Sequence, residues 1–282
     1  MKSRLLLISC LFFSILITGC ISEQKENYLT NFCIKGKVKS LVVKKYEAIE
    51  RFGEVEKESI IYSDEIHFNL DGNQVAEVRY NSDGDIDGKS IYEYDEDGNE
   101  VEWIMYNSDG GIDGKNSYEY DEDGNKVEWI SYNSDGGIDG KSTYEYDEDG
   151  NKVKSITYNS DGDIDGKSTY EYDEDGNEVE WIMYNSDGGI ENKVTYEYND
   201  EVLNKLEIIF YNSDGGVDVT YSTTYDKDGN EVEWIMYNSD GGIDGKSTYE
   251  YEYDIQGNWT LQIIFVDGVA TSLEEREFEY YD

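Results

Sequence analysis

The chain predicts an all-β fold, an extended antiparallel β-meander built from about eight hairpin repeats of 26 residues each. Three observations predict it. Tyr94, Tyr120, Tyr146, Tyr172 and Tyr198 recur every 26 residues, and Gly72, Gly98, Gly124, Gly150 and Gly176 keep the same step. Runs of Tyr, Trp, Ile, Val and Thr alternate with breaks of Asp, Asn and Gly, the composition of strands joined by tight turns. Each repeat also divides in two: Tyr94-Asp95-x-Asp97-Gly98 and Tyr106-Asn107-x-Asp109-Gly110 are one pattern, 12 residues apart. A lattice of equivalent positions has no unique centre, which limits the kinds of function it can carry.

Taken from the N-terminus, residues 1–19 read as a leader. Lys2 and Arg4 precede an apolar stretch from Leu5 to Leu16, and Ile17-Thr18-Gly19-Cys20 closes it. This ending resembles a bacterial lipobox. The resemblance implies cleavage before Cys20, a diacylglyceryl group on its sulfur (with palmitate-type acylation), and attachment to the cell envelope. Ile21 after the cysteine implies the outer membrane in a Gram-negative host. Cys10 leaves with the leader and Cys20 is lipidated, so Cys33 alone remains and no internal disulfide forms. Residues 20–34 read as the lipidated N-terminus and a polar tether. Residues 35–65 carry a lysine cluster and no Asp-Gly repeat turn. They read as a capping β segment, because terminal units of repeat proteins are atypical; a helix over Tyr46 to Phe52 is the alternative.

Residues 66–282 form the repeat domain. In one unit, Ser90 to Tyr94 is β-rich, Asp95 to Asn99 is a turn, Glu100 to Tyr106 is β-rich, and Asn107 to Gly111 is a second turn. Glycine supplies the positive φ such turns require. Roughly sixteen strands would make a twisted ribbon about 75 Å long. Alternation separates two columns. Ile104/Tyr106 and their equivalents are nearly invariant within the chain and are assigned to the packed face. Trp103, Trp129, Ser155, Trp181, Ile208, Trp234 and Gln262 vary and are assigned to the partly exposed face. The lattice slips by one residue between Tyr198 and Tyr225 and by two between Tyr225 and Tyr253, read as turn insertions or bulges. Leu273 to Asp282 reads as a closing strand whose edge is blunted by acidic charge.

The phrase YEYDEDGNEVEWI…NSDGG…YEYD, over Ile66 to Asn258, resembles the tyrosine-aspartate (YD, or Rhs-type) repeat. The resemblance implies an extended β-ribbon, which in large members of that family spirals into a shell around toxin cargo. The 26-residue step is longer than that family's, and no toxin-like C-terminal domain follows. The repeat fold carries over and the cargo role does not. A toxin-associated or immunity role rests on this analogy alone.

Net charge is −42, and losing Lys2 and Arg4 with the leader makes it −44. Nucleic-acid binding is excluded, because phosphate recognition requires cationic patches. Calcium is the metal such a surface could take. Asp83-x-Asp85-x-Asp87-Gly88 and Asp161-x-Asp163-x-Asp165-Gly166 match the start of an EF-hand-like loop. Tyr94 and Tyr172 stand where that loop needs a bidentate Glu, so plain Asp-Gly turns in an acidic surface are the better reading.

Trp103, Trp129, Trp181 and Trp234 are the ligand-binding candidates, since aligned aromatic rings stack on sugars or grip a protein partner; structural packing is the plainer alternative. One histidine, His67, and no nucleophile-base set speak against an enzyme. The sequence therefore points to a lipid-anchored envelope module, structural or binding a protein or polysaccharide, without catalysis. A calcium-dependent envelope protein is the second expectation.

Overall fold

The computed structural model describes residues 27–32, 34–199, 205–212 and 214–281. The leader, Cys20 and Cys33 lie outside the described residues. A short helix, α1 (Tyr28–Asn31), precedes eighteen strands. Two long ones lead: β1 (Val38–Arg51) and β2 (Glu54–Phe68). Then follow β3 (Gln74–Tyr80), β4 (Ile86–Tyr94), β5 (Glu100–Asn107), β6 (Ile112–Tyr120), β7 (Lys126–Asn133), β8 (Ile138–Tyr146), β9 (Lys152–Asn159), β10 (Ile164–Tyr172) and β11 (Glu178–Asn185). The series ends with β12 (Ile190–Asn199), β13 (Lys205–Tyr211), β14 (Val217–Tyr225), β15 (Glu231–Asn238), β16 (Ile243–Tyr253), β17 (Trp259–Val266) and β18 (Val269–Tyr280).

Each strand pairs antiparallel with the next, and β1 also pairs with β18 from Val38↔Tyr280 to Glu47↔Ser272. The sheet is a closed barrel of hairpins. The antiparallel meander stands and closure makes it more specific: the ribbon has no end, and both edges are removed. Closure corrects the blunted edge at the C-terminus. The acids of β18 meet the lysines of the capping hairpin, with Lys39–Glu279 at 2.7 Å, Lys44–Glu277 at 3.1 Å, and Lys57 on Glu275. Tyr46 to Arg51 is strand, not helix; its hairpin turns at Phe52-Gly53, both at positive φ.

The two repeated turns are one device. Gly98 N–H donates to Asp95 O at 3.1 Å, and Asp95 N–H donates to Asn99 O at 2.9 Å, with Gly98 at φ 79°. That is a type I turn closed by a glycine bulge. The first side chain staples it: Asn107 Oδ1 accepts from the N–H groups of Asp109 and Gly111, and Asp121 Oδ1 from those of Asp123 and Asn125. An Asp or Asn opens every such turn because only a short side-chain oxygen reaches both donors.

The two faces are the reverse of the sequence assignment. Cross-strand partners share a face, so Leu41, Ile66, Glu77, Ser90 and Met105 stand side by side. Met105 shares its face with Trp103, two residues away. Helix α1 packs on this face: Leu29 clusters with Leu41, Val43, Ile66 and Phe68. The other buried cluster lies here too, with Trp181, Val194, Tyr196, Leu206, Ile208 and Tyr221. The concave side of a closed sheet crowds its side chains, so this is the inward wall.

The Ile104/Tyr106 column faces out. It shares the outer wall with rows of charge, including Lys115–Glu102 at 2.8 Å, Lys141–Glu128 at 2.5 Å, and the pairs Lys193–Glu180 and Lys246–Glu233. The two-residue slip is neither a turn insertion nor a bulge. It lengthens β16 to 11 residues against 9 in β4, which preserves the inward-outward parity. The one-residue slip goes with the loss of the register shift at Tyr198, which meets Leu206 directly; residues 200–204 of the connection lie outside the described residues.

Candidate functional site

The inward wall repeats one arrangement. Tyr92 pairs with Trp103 across β4 and β5, rings stacked 5.8 Å apart. Tyr118 pairs with Trp129, Tyr144 with Ser155, and Tyr170 with Trp181. Tyr221 stacks on Trp234 at 5.5 Å. Small polar residues fill the row below, and Asn116, Ser142 and Ser168 are buried. All four tryptophans predicted from the sequence therefore stand on the inward wall, on one circumferential row. They are brought together as a row, and the wall they line is the concave one.

Their indole nitrogens differ. Trp129 Nε1 donates to Asn116 Oδ1 at 3.0 Å. Trp103 Nε1 and Trp181 Nε1 are buried without a partner, and Trp181 is 9% exposed. The cause is the residue diagonally across the strand pair: Asn116 for Trp129, but Ser90 and Ser168 for the other two. A serine hydroxyl is too short to reach. A buried donor without an acceptor costs about 1–3 kcal/mol.

Nearer the Asp-Glu-Asp-Gly-Asn turns runs a second row, which the sequence reading missed. The register shift between Glu93 and Tyr94 pairs Tyr94 with Glu100 and turns Glu100 inward. The same shift turns Lys126, Glu178 and Glu231 inward. Lys152 pairs likewise with Tyr146. Burial raises the pKa of Glu100, opposed by the Lys126 charge and the Tyr118 hydroxyl. Burial raises that of Glu178, opposed by a Tyr196 hydrogen bond and the Lys152 charge. Burial lowers that of Lys126, whose ammonium lies over the Tyr118 ring at 4.0 Å. Glu231 is pushed up to about 7 by burial, opposed by its hydrogen bond with Tyr249.

The second tyrosine of each YEYD phrase braces this row. The β5–β6 pairing stops at Glu102↔Ser117, leaving the Glu100 carbonyl beyond it. Tyr120 Oη donates to that carbonyl at 2.8 Å. Tyr94 on Gln74, Tyr146 on Lys126, Tyr172 on Lys152, Tyr198 on Glu178 and Tyr251 on Glu231 repeat the bond at 2.7–3.0 Å.

The calcium candidates are not gathered. Asp83 and Asp85 lie in a turn whose staple is Asn81, and Asp161 and Asp163 in one stapled by Asn159. Asp87 and Asp165 have passed into the following strands. Among the described residues no three His, Cys, Asp or Glu side chains form a group that could hold a metal ion. His67 contacts Glu65 at 3.1 Å on the outer wall.

No family model matches the chain, and no curated protein does. Among solved structures, a porin-like protein from Bacteroides uniformis ATCC 8492 is similar at 14% identity and a TM-score of 0.46, over 86% of this chain and 96% of that one. The Photorhabdus luminescens Tc holotoxin pore is similar at 11% and 0.17, over 78% of this chain and 17% of that one. An outer membrane lipoprotein-sorting protein domain from Vibrio parahaemolyticus is similar at 6% and 0.25, over 86% of each. Identities this low with TM-scores this small carry no argument about activity.

Proposed function

We propose that this chain is a lipid-anchored, non-catalytic binding module of the bacterial cell envelope, holding a protein or polysaccharide partner against its inward wall. The observation that carries this is the pair of buried, unpartnered indole donors, Trp103 Nε1 and Trp181 Nε1, set among stacked aromatic rings. Flat rings beside unused donors suit a ligand that presents apolar faces edged with acceptors. The outer wall supports an aqueous setting. A spanning barrel is apolar outside, and Lys or Arg at the bilayer midplane costs about 2–4 kcal/mol. Here Lys–Glu ion pairs run through the outer wall beside its Ile104/Tyr106 column.

The lipid on Cys20 supplies the membrane link, and the tether fixes its side. Asn27 bonds Asp71 O at 2.8 Å, at the Asp-Glu-Asp-Gly-Asn end of the barrel. The seven residues from Cys20 to Glu26 reach at most about 25 Å, so that end lies next to the membrane. The test is affinity electrophoresis through envelope polysaccharides, together with binding to purified envelope proteins. The double variant Trp103→Phe, Trp181→Phe keeps the rings and removes the donors. Binding weakened about tenfold or more in a folded variant is expected; undiminished binding would sink the reading.

A further inference from the structure

Glu231 opens β15 in the place that Glu100 and Glu178 hold in their own repeats. Each of those carboxylates feels a lysine one hairpin away, Lys126 or Lys152. Glu231 has no ion-pair partner among the described residues, and no cation contributes to its electrostatics. The reason is readable in the lattice. One hairpin earlier, the one-residue slip puts Leu206 inward opposite Tyr198 and sends Lys205 out to Glu207 at 2.5 Å. One hairpin later the place belongs to Trp259, over whose ring the Arg276 guanidinium lies at 3.4 Å, and that cation faces Glu274 and Tyr251.

Rings, and no ion pair among the described residues, surround the Glu231 carboxylate itself. Tyr225 is directly opposite Glu231 across β14 and β15. The Tyr249 hydroxyl bonds the carboxylate, and the Tyr251 hydroxyl donates to the Glu231 carbonyl at 2.7 Å. A carboxylate among aromatic rings, without a cation of its own, has the composition of an ammonium receptor. The overall charge of −42 favours a basic partner and steers it toward the barrel.

We propose that Glu231, with Tyr225, Tyr249 and Tyr251, is a receptor on the inward wall for the ammonium group of a lysine side chain carried by a basic protein partner. The proposal rests on the inward wall being the binding surface. Glu231 holds its proton more tightly than an ordinary carboxylate, so the site fills as pH rises past neutrality and the carboxylate ionises.

The test is calorimetric titration of the full chain at pH 8 with N-acetyl-lysine amide, and with N-acetyl-norleucine amide as the uncharged control. Binding of the lysine compound alone is expected, weakened about tenfold or more by Glu231→Gln. One charge among so many scarcely alters the overall field, so a loss confined to this variant separates a site from general attraction. Carboxyl NMR of the unaltered protein gives a second measurement: the Glu231 titration midpoint should fall when the lysine compound is present. Equal binding of the two compounds, undiminished binding by Glu231→Gln, or an unmoved midpoint each overturns the proposal. The lysine readout sits at Glu231 and the tryptophan readout elsewhere on the wall, so either can fail while the other stands.

Discussion

Glu231 shows how much a single residue can cost a barrel that places it inward. Its ordinary value in the unfolded chain is about 4.5 and the fold raises it to about 7. A carboxylate raised by folding contributes stability that is whole below the unfolded value and is lost as pH rises toward the folded one. Glu231→Gln should therefore leave stability at pH 4 unchanged and raise it at pH 8. The full shift corresponds to roughly 3 kcal/mol, an upper bound because the group is partly exposed. Denaturant melts at the two pH values check this; an equal change at both would mean that the substitution acts through packing instead of charge. This row was not legible in the sequence. Glu100, Lys126, Lys152 and Glu178 sit beside turns in an acidic chain, and they read as surface until the register shift turns them inward.

At the scale of the element, the turns were legible and the faces were not. The pattern Y-D/N-x-D-G names every part of its turn: a stapling Asx, a type I bend, and a glycine at positive φ. Constancy along the chain does not mark burial here: the constant column faces out. Ile104 and Tyr106 recur on the outer wall, whereas the inward row changes from Trp103 and Trp129 to Ser155, Ile208 and Gln262.

Two substitutions separate the parts of the turn. Gly124 lies at φ +86° with nothing within 4 Å of an added Cβ. Gly124→Ala should thus cost only the backbone penalty, about 1–2 kcal/mol. Asp121→Ala removes the staple, whose bonds to the Asn125 and Asp123 N–H groups and to the Asn125 side chain hold the Asp121 pKa below the usual carboxylate range. A lowered value means stability present above the ordinary carboxylate pKa and lost as pH falls through the folded one. Asp121→Ala should therefore be more destabilising at pH 7 than at pH 2, while Gly124→Ala costs the same at both. Thermal melts at the two pH values read the difference.

For the whole molecule, closure is what the sequence concealed. The pairing of β1 with β18 joins two segments that share no motif, and only their complementary charge marks the seam: Lys39, Lys44 and Lys57 against Glu279, Glu277 and Glu275. Closure also bears on the proposed membrane link. The Lys–Glu pairs of the outer wall are costly in lipid, and among the described residues no helix is long and apolar enough to cross a membrane. On the proposed reading the membrane link is the lipid on Cys20. Expressed with its leader in a lipoprotein-processing bacterium, the protein should partition into detergent on Triton X-114 phase separation. Cys20→Ser, or a chain starting at Ile21, should move to the aqueous phase with the barrel intact by circular dichroism. Neither form should conduct ions when mixed with planar bilayers. Retention of the Ile21 form in detergent, or conductance from it, would show that the wall itself enters lipid. The charged outer face would then have to be the side that turns away from it.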